Sequence, residues 1–236
     1  MRKYLRVAAA FCVLIGLSGC AGMPEIPYDS STAKVQTIGF PSPAFPDDPQ
    51  VVLASSVGQS FGLVGGLIDA AMQSKRDSDF EALLQAQHFA AKGQFIADLT
   101  EALKAKGFTV VPYQAARPKA EFLASYPAAP QKVDAYLDVV VTGYGYLAAG
   151  IGHDTPYRPY VIMKCKLVRA SDSSVLMQDS ITLNAIFPAK QQITLSPNPA
   201  YAFATFDDLT AAPSEATAGV QSAMVQTSHT VGGLLQ

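Results

Sequence analysis

Ala135-Tyr136-Leu137-Asp138-Val139-Val140-Val141-Thr142 is the stretch on which the fold class turns. Ala135, Leu137, Val139 and Val141 alternate with Tyr136, Asp138 and Thr142, the period of two that puts one face of a strand in a core and the other towards water. Two further apolar runs follow, Tyr160–Arg169 and Val175–Phe187. The turn residues Ala170-Ser171-Asp172-Ser173-Ser174 separate them, so the pair reads as a β-hairpin. Ile181, Leu183 and Ala185 share one of its faces.

Upstream the period changes to that of a helix. Phe80, Leu83, Leu84, Phe95, Ile96, Leu99 and Leu103 form a helical stripe. Ser78-Asp79-Phe80-Glu81 has the form of a capping box and predicts a helix start there. Gly93 is expected to break or kink the stripe, and Gly107 to stop it. Phe108–Tyr113 then reads as a strand, and residues 114–132, with three prolines, as a loop. Lys34–Phe40 and Val51–Ala54 are short strand candidates, separated by Pro41, Pro43, Pro46 and Pro49, which deny regular structure between them. Gly58, Gly62, Gly66 and Ala70 recur every four residues and predict a smooth-sided, tightly packed helix, with a G-x-x-x-G membrane or oligomer contact as the alternative that the short apolar stretch and Asp69 disfavour. Pro213 opens a last helix with the stripe Val220, Met224, Thr227, Val231 and Leu234. Strand, helices, strand, a run of strands and a final helix together predict an α/β domain with a mixed β-sheet and packed helices, over residues 34–236.

The chain opens on a different kind of segment. Arg2, Lys3 and Arg6 precede the apolar run Val7–Leu17, the pattern of a secretory signal, and that run is shorter than the about 20 residues needed to span a bilayer. It ends in Leu17-Ser18-Gly19-Cys20, which resembles the lipobox of bacterial lipoproteins. The resemblance implies cleavage before Cys20, lipidation of Cys20, and membrane attachment through its acyl chains. Ala21, rather than Asp, implies by the same resemblance the periplasmic face of the outer membrane. Residues 1–19 are then the signal peptide, and 20–33, with Pro24 and Pro27 and no periodicity, a lipidated tether.

Removing residues 1–19 from 236 leaves 217, enough for one sizeable domain. Three of the 17 basic side chains leave with the signal, so 14 remain against 19 acidic ones, a formal charge of −5. That balance disfavours nucleic acid as a partner, since such binding rests on basic patches. With Cys12 removed and Cys20 lipidated, Cys165 is left alone and reads as a buried, inert thiol. No cofactor fingerprint and no metal-ligand spacing is present: His88, His153 and His229 are scattered.

The helix Phe95-x3-Leu99-x3-Leu103-x3-Gly107-Phe108 running into a strand, and the hairpin Lys166–Leu176, carry a second resemblance. On a lipoprotein, this order of elements resembles the anticodon-binding-domain-like periplasmic group, which includes CsgG, LpoB, PelC and the N-terminal domain of TolB. It implies a lipid-anchored accessory or assembly subunit of a cell-envelope complex without enzymatic activity, with an envelope protein or further copies of itself as partner. An uncharacterised lipoprotein family fits the same pattern. An oligomeric secretion-pore lipoprotein is an alternative.

A hydrolase is the other alternative. Gly58-Gln59-Ser60-Phe61-Gly62 matches the G-x-S-x-G nucleophile elbow, and His153 with Asp154, or Asp207 with His229, are candidates to complete a triad. Only the second pair follows the chain order Ser, Asp, His. Few residues precede Gly58 in the mature chain, and no HGGG-type segment supplies an oxyanion hole. The segment from Gly143 to Tyr160 is read as a loop rich in tyrosine and held by Pro156 and Pro159. Tyr146, Tyr157, Arg158 and Tyr160 are its expected partner contacts, because Tyr and Arg are enriched at interface hot spots.

Overall fold

The computed structural model describes residues 23–54, 62–150, 154–186, 188 and 190–236. The chain folds as one mixed seven-stranded sheet with helices packed on it, the α/β architecture expected. In chain order the elements are α1 (Ser30–Ala33), β1 (Thr37–Pro41), β2 (Gln50–Leu53), α2 (Gly62–Ala86), α3 (Ala91–Ala105), β3 (Thr109–Tyr113), β4 (Ala135–Ala148), β5 (Arg158–Arg169), β6 (Val175–Leu183), β7 (Ile193–Leu195), α4 (Phe206–Ala211) and α5 (Pro213–Gly233). The sheet runs β3-β1-β4-β5-β6-β7, with β2 also paired to β4.

β4 is the axis of the sheet. One of its sides pairs antiparallel with β5 over its whole length, and the other is lined in turn by β1, Ala44 and β2, all parallel. The prolines of residues 41–49 interrupt that lining as expected, yet Ala44 still donates its N–H to Val139 O at 3.0 Å and accepts from Val141 N at 2.9 Å. On α2, Gln73 and Asp77 serve the outer side of β2: Asp77 Oδ1 accepts from Val51 N at 2.7 Å and Gln73 Nε2 donates to Val51 O at 3.0 Å. An edge strand is thereby closed by side chains rather than left open for another chain.

β4 and β5 are longer than their sequence pattern. The register slips between Val141 and Gly143, and this bulge exchanges the two faces. Before it the odd residues Leu137, Val139 and Val141 are buried under the helices; beyond it the even residues Tyr144, Tyr146 and Ala148 are. Gly145 has φ +135° and lies so near β2 that a Cβ on it would stand 2.1 Å from Gln50 O.

Among the described residues, α2, α3 and α5 pack their apolar side chains against one face of the sheet. α3 and α5 pack on each other and on the sheet, tied by Gln221 Nε2 donating to Asp98 Oδ2 at 2.8 Å. Phe80, Phe95, Leu99, Leu103, Val220, Met224 and Val231 meet Ile38, Phe40, Leu137, Met163, Leu167 and Ile181 in the core. The capping box expected at Ser78 is not used, because α2 continues straight through it. The box that forms is Thr205 with Asp208 at the start of α4. α2 ends instead at His88, in a left-handed conformation (φ 54°), where Phe89 N donates to Leu84 O and His88 N to Gln85 O. Gly107 ends α3 by the same arrangement, as expected of it, while Gly93 lies inside α3 without breaking it.

The tether expected over 20–33 is shorter in the structure. Ile26 forms an antiparallel bridge to Gln178, donating to its O at 2.8 Å and accepting from its N at 2.9 Å, and Gln178 Nε2 donates to Pro24 O at 3.0 Å. The segment from Pro24 onward therefore covers the part of the β6 edge that β7 leaves free. No helix among the described residues is long and apolar enough to cross a membrane.

Candidate functional site

The four expected contact residues do not form an exposed patch. Tyr146 is wholly buried: its ring meets Phe80 and Phe203 edge-on, with centroids 5.6 Å apart in both cases, and its hydroxyl donates to Ala216 O at 3.0 Å. Tyr160 lies across Gly143 with its hydroxyl donating to Gln50 Oε1 at 2.9 Å, and it too is buried. Burial pushes both hydroxyls above the ordinary tyrosine value. Tyr157 is 8% exposed beside Phe206, and Arg158 alone of the four is exposed. The expectation of a tyrosine-rich docking loop is thus corrected. The bulge in β4 continues the sheet through residues read as loop, and the aromatic area fills the interior.

Tyr157 does reach one concave surface. A groove of roughly 710 Å³ between α2 and α4 is lined by Met72, Lys75, Arg76, Asp79, Tyr157, Phe206 and Asp207, among others. Met72 is 54% exposed there, Lys75 Nζ pairs with Asp79 Oδ2 at 2.6 Å, and Arg76 Nη2 donates to Gln73 Oε1 at 3.0 Å. An apolar floor with charges of both signs at the rim suits non-covalent binding. It does not assemble a nucleophile with a base.

Of the hydrolase candidates, Ser60 and His153 lie outside the described residues. Asp207 and His229 are both exposed, Asp207 at the groove on α4 and His229 near the end of α5, and no hydrogen bond or ion pair joins them. A triad needs its carboxylate bonded to the imidazole. Among the described residues no three His, Cys, Asp or Glu side chains are placed to hold a metal. Cys165 is fully buried with its Sγ 3.8 Å from Asp179 O, and its thiol is pushed up to about 12, chiefly by burial. That is the inert thiol expected.

Sequence reasoning missed the polar cluster on the helix-free face. Asp138 is wholly buried in the middle of β4, and Arg117 bonds it through Nη2 while donating Nε to Ser42 O at 2.6 Å and Nη1 to Glu121 O at 3.0 Å. Leu123 N and Tyr126 OH donate to Asp138 Oδ2 at 2.7 and 3.1 Å, and the Tyr126 ring stacks on Tyr136 with centroids 4.9 Å apart. One carboxylate thus fastens the loop of residues 114–132 over the β1–β4 side of this face. A lone Asp at an outward position of a strand was the available signal.

Asp179 carries a second buried carboxylate, 5% exposed, and Ser180 N donates to its Oδ1 at 2.7 Å. Burial, with a smaller contribution from the charge of Glu25, raises its pKa above 3.8. The folded state therefore holds that proton more tightly than the unfolded chain. The favourable contribution is complete below the unfolded value and is lost as pH rises through the folded one. Asp179→Asn is expected to raise the melting temperature at pH 7, with a gain that shrinks as pH falls towards 3.8. Melting curves of the two proteins across that range check it, and a gain independent of pH would contradict the assignment.

No protein-family model and no curated protein matches the chain. Solved structures to which it is similar include a DUF330 protein from Xanthomonas campestris, at 14% identity and a TM-score of 0.41, over 85% of this chain and 84% of that one. A PelC dodecamer from Paraburkholderia phytofirmans is similar at 12% identity and a TM-score of 0.28, over 81% and 87% of the two chains. A neuraminyllactose-binding hemagglutinin homolog from Helicobacter pylori follows at 10% and 0.28, over 89% and 86%. Likeness at these scores assigns no function.

Proposed function

We propose that the chain is a lipid-anchored, periplasm-facing accessory or assembly subunit of a cell-envelope complex, acting by binding rather than by catalysis. The observation that carries this reading is the lipobox-like Leu17-Ser18-Gly19-Cys20 behind a basic start and a short apolar run. In the fold, the candidate triad partners Asp207 and His229 are both exposed with no hydrogen bond between them, and the open groove at Met72 joins apolar and charged side chains as a contact surface does; both support this reading.

Acylation holds a protein by about 0.8 kcal/mol per buried CH₂, and stable anchoring takes more than one chain. Cys20→Ala is expected to abolish incorporation of labelled fatty acid and to leave an unprocessed precursor in the inner membrane. Absence of label from the wild type would overturn the anchor. Proteins that co-purify with the acylated form identify the complex, and a serine-directed activity probe that labels the wild type but not Ser60→Ala would replace binding with hydrolysis.

A further inference from the structure

We infer that the helix-free face of β5 and β6 is the surface that lies against the phospholipid headgroups; this rests on the lipid-anchor reading of Cys20. Three observations meet there.

The first is the length of chain. Pro24 is held by the side chain of Gln178 at 3.0 Å, and Gln178 shares its face of β6 with Ser180, opposite to the buried Met177 and Ile181. The chain towards Cys20 therefore leaves from the helix-free side. The four residue steps from Cys20 to Pro24 span at most about 14 Å, so an acylated Cys20 keeps Pro24 and the side it leaves from close to the bilayer.

The second is what covers the face. Residues 114–132 are fastened over β4 by Asp138 and end their cover at Phe122, whose ring lies 4.6 Å from Lys166 Nζ. Beyond that line Thr142 and Lys164 are exposed and Ile162 is 36% exposed.

The third is charge. The mature chain is acidic, yet the side chains that the register sets together on this strip are Ile162, Lys164 and Lys166 beside Thr182, Ser180 and Gln178, of which Thr182 is buried. On the same face Asp138 is paired with Arg117; the exposed acids nearby are Glu121 in the covering loop and Glu25 beside the exit. Two lysines and an exposed isoleucine suit an anionic headgroup layer with an apolar boundary beneath it.

The test uses the full, acylated chain in vesicles of phosphatidylethanolamine and phosphatidylglycerol carrying a quencher on the headgroups. A fluorophore is placed on an introduced thiol, at Thr142→Cys or Ser180→Cys on the strip, or at Gln85→Cys or Glu101→Cys on the helix layer. Cys165 is buried and does not compete for label. The strip positions are expected to be quenched several-fold more than the helix positions. Mass spectrometry of the same samples reports acylation: a chain without acyl groups overturns the anchor and the inference together. An acylated chain quenched equally at all four positions, or more on the helices, overturns the orientation alone and leaves the anchor standing.

Discussion

Tyr146→Ala is expected to lower the unfolding free energy by about 3–5 kcal/mol, the range for removing a large buried aromatic side chain. The residue touches three elements at once: Phe80 on α2, Phe203 before α4, and the Ala216 carbonyl on α5. α5 is shaped around it, since a Cβ at Gly219 would stand 2.0 Å from the Tyr146 hydroxyl. Truncation leaves a cavity under two helices that cannot both move in to fill it. For a domain of this size the melting temperature should fall by roughly 2–4 °C per kcal/mol. Tyr146→Phe keeps the ring and loses only the hydroxyl's bond to Ala216 O, a carbonyl that also accepts within α5, at a cost of about 0.5–1.5 kcal/mol. Arg158→Ala, at an exposed position, should stay within about 0.5 kcal/mol of wild type. Urea titration of the three variants measures the order. Equal, near-zero effects would return Tyr146 to the surface role its sequence suggested.

Removing Arg117 is expected to do comparable damage by a different route. Asp138 is 0% exposed and the Arg117 side chain 8%, so Arg117→Ala leaves a buried charge without its counter-ion. Breaking such a pair on one side costs about 3–5 kcal/mol. Because Arg117 also binds Ser42 O and Glu121 O, the loop of residues 114–132 should come away from the sheet. Limited proteolysis should then cut within that loop before the domain unfolds. The double variant Arg117→Met with Asp138→Leu removes both charges and is expected to recover much of the stability, as buried pairs replaced by apolar residues commonly do. A single variant no less stable than wild type would place the pair in water.

These two sites mark where sequence stops being readable. Alternation in 135–142, the hairpin around Asp172, the Gly107 stop and the start at Pro213 are local signals, and each is found where it was expected. They follow from backbone geometry within a few residues, which is why the class of fold, a mixed sheet with packed helices, could be read from them. Cys165 among apolar neighbours at strand period was legible for the same reason.

The remainder depended on partners far along the chain. Whether Ser78 begins a helix depended on the turn before it, where Gln73 and Asp77 bond to Val51 on a distant strand and α2 is already formed. Whether Tyr144 and Tyr146 face water depended on one extra residue at Val141/Gly143, which reverses every side chain beyond it; a period of two carries no warning of such a slip. Asp138 reads as an outward polar residue until Arg117 and Tyr126, brought back by a loop without periodicity, enclose it. Residues 24–33 read as a tether until the free edge of β6 supplies Ile26 with its hydrogen bonds. Local periodicity and turn chemistry determined the strands, the stop at Gly107 and the start at Pro213, because each needs only its neighbours. Which face each side chain takes and what covers it were decided by the tertiary structure, because unpaired edges, buried charges and bulges are satisfied only by groups that folding brings from elsewhere.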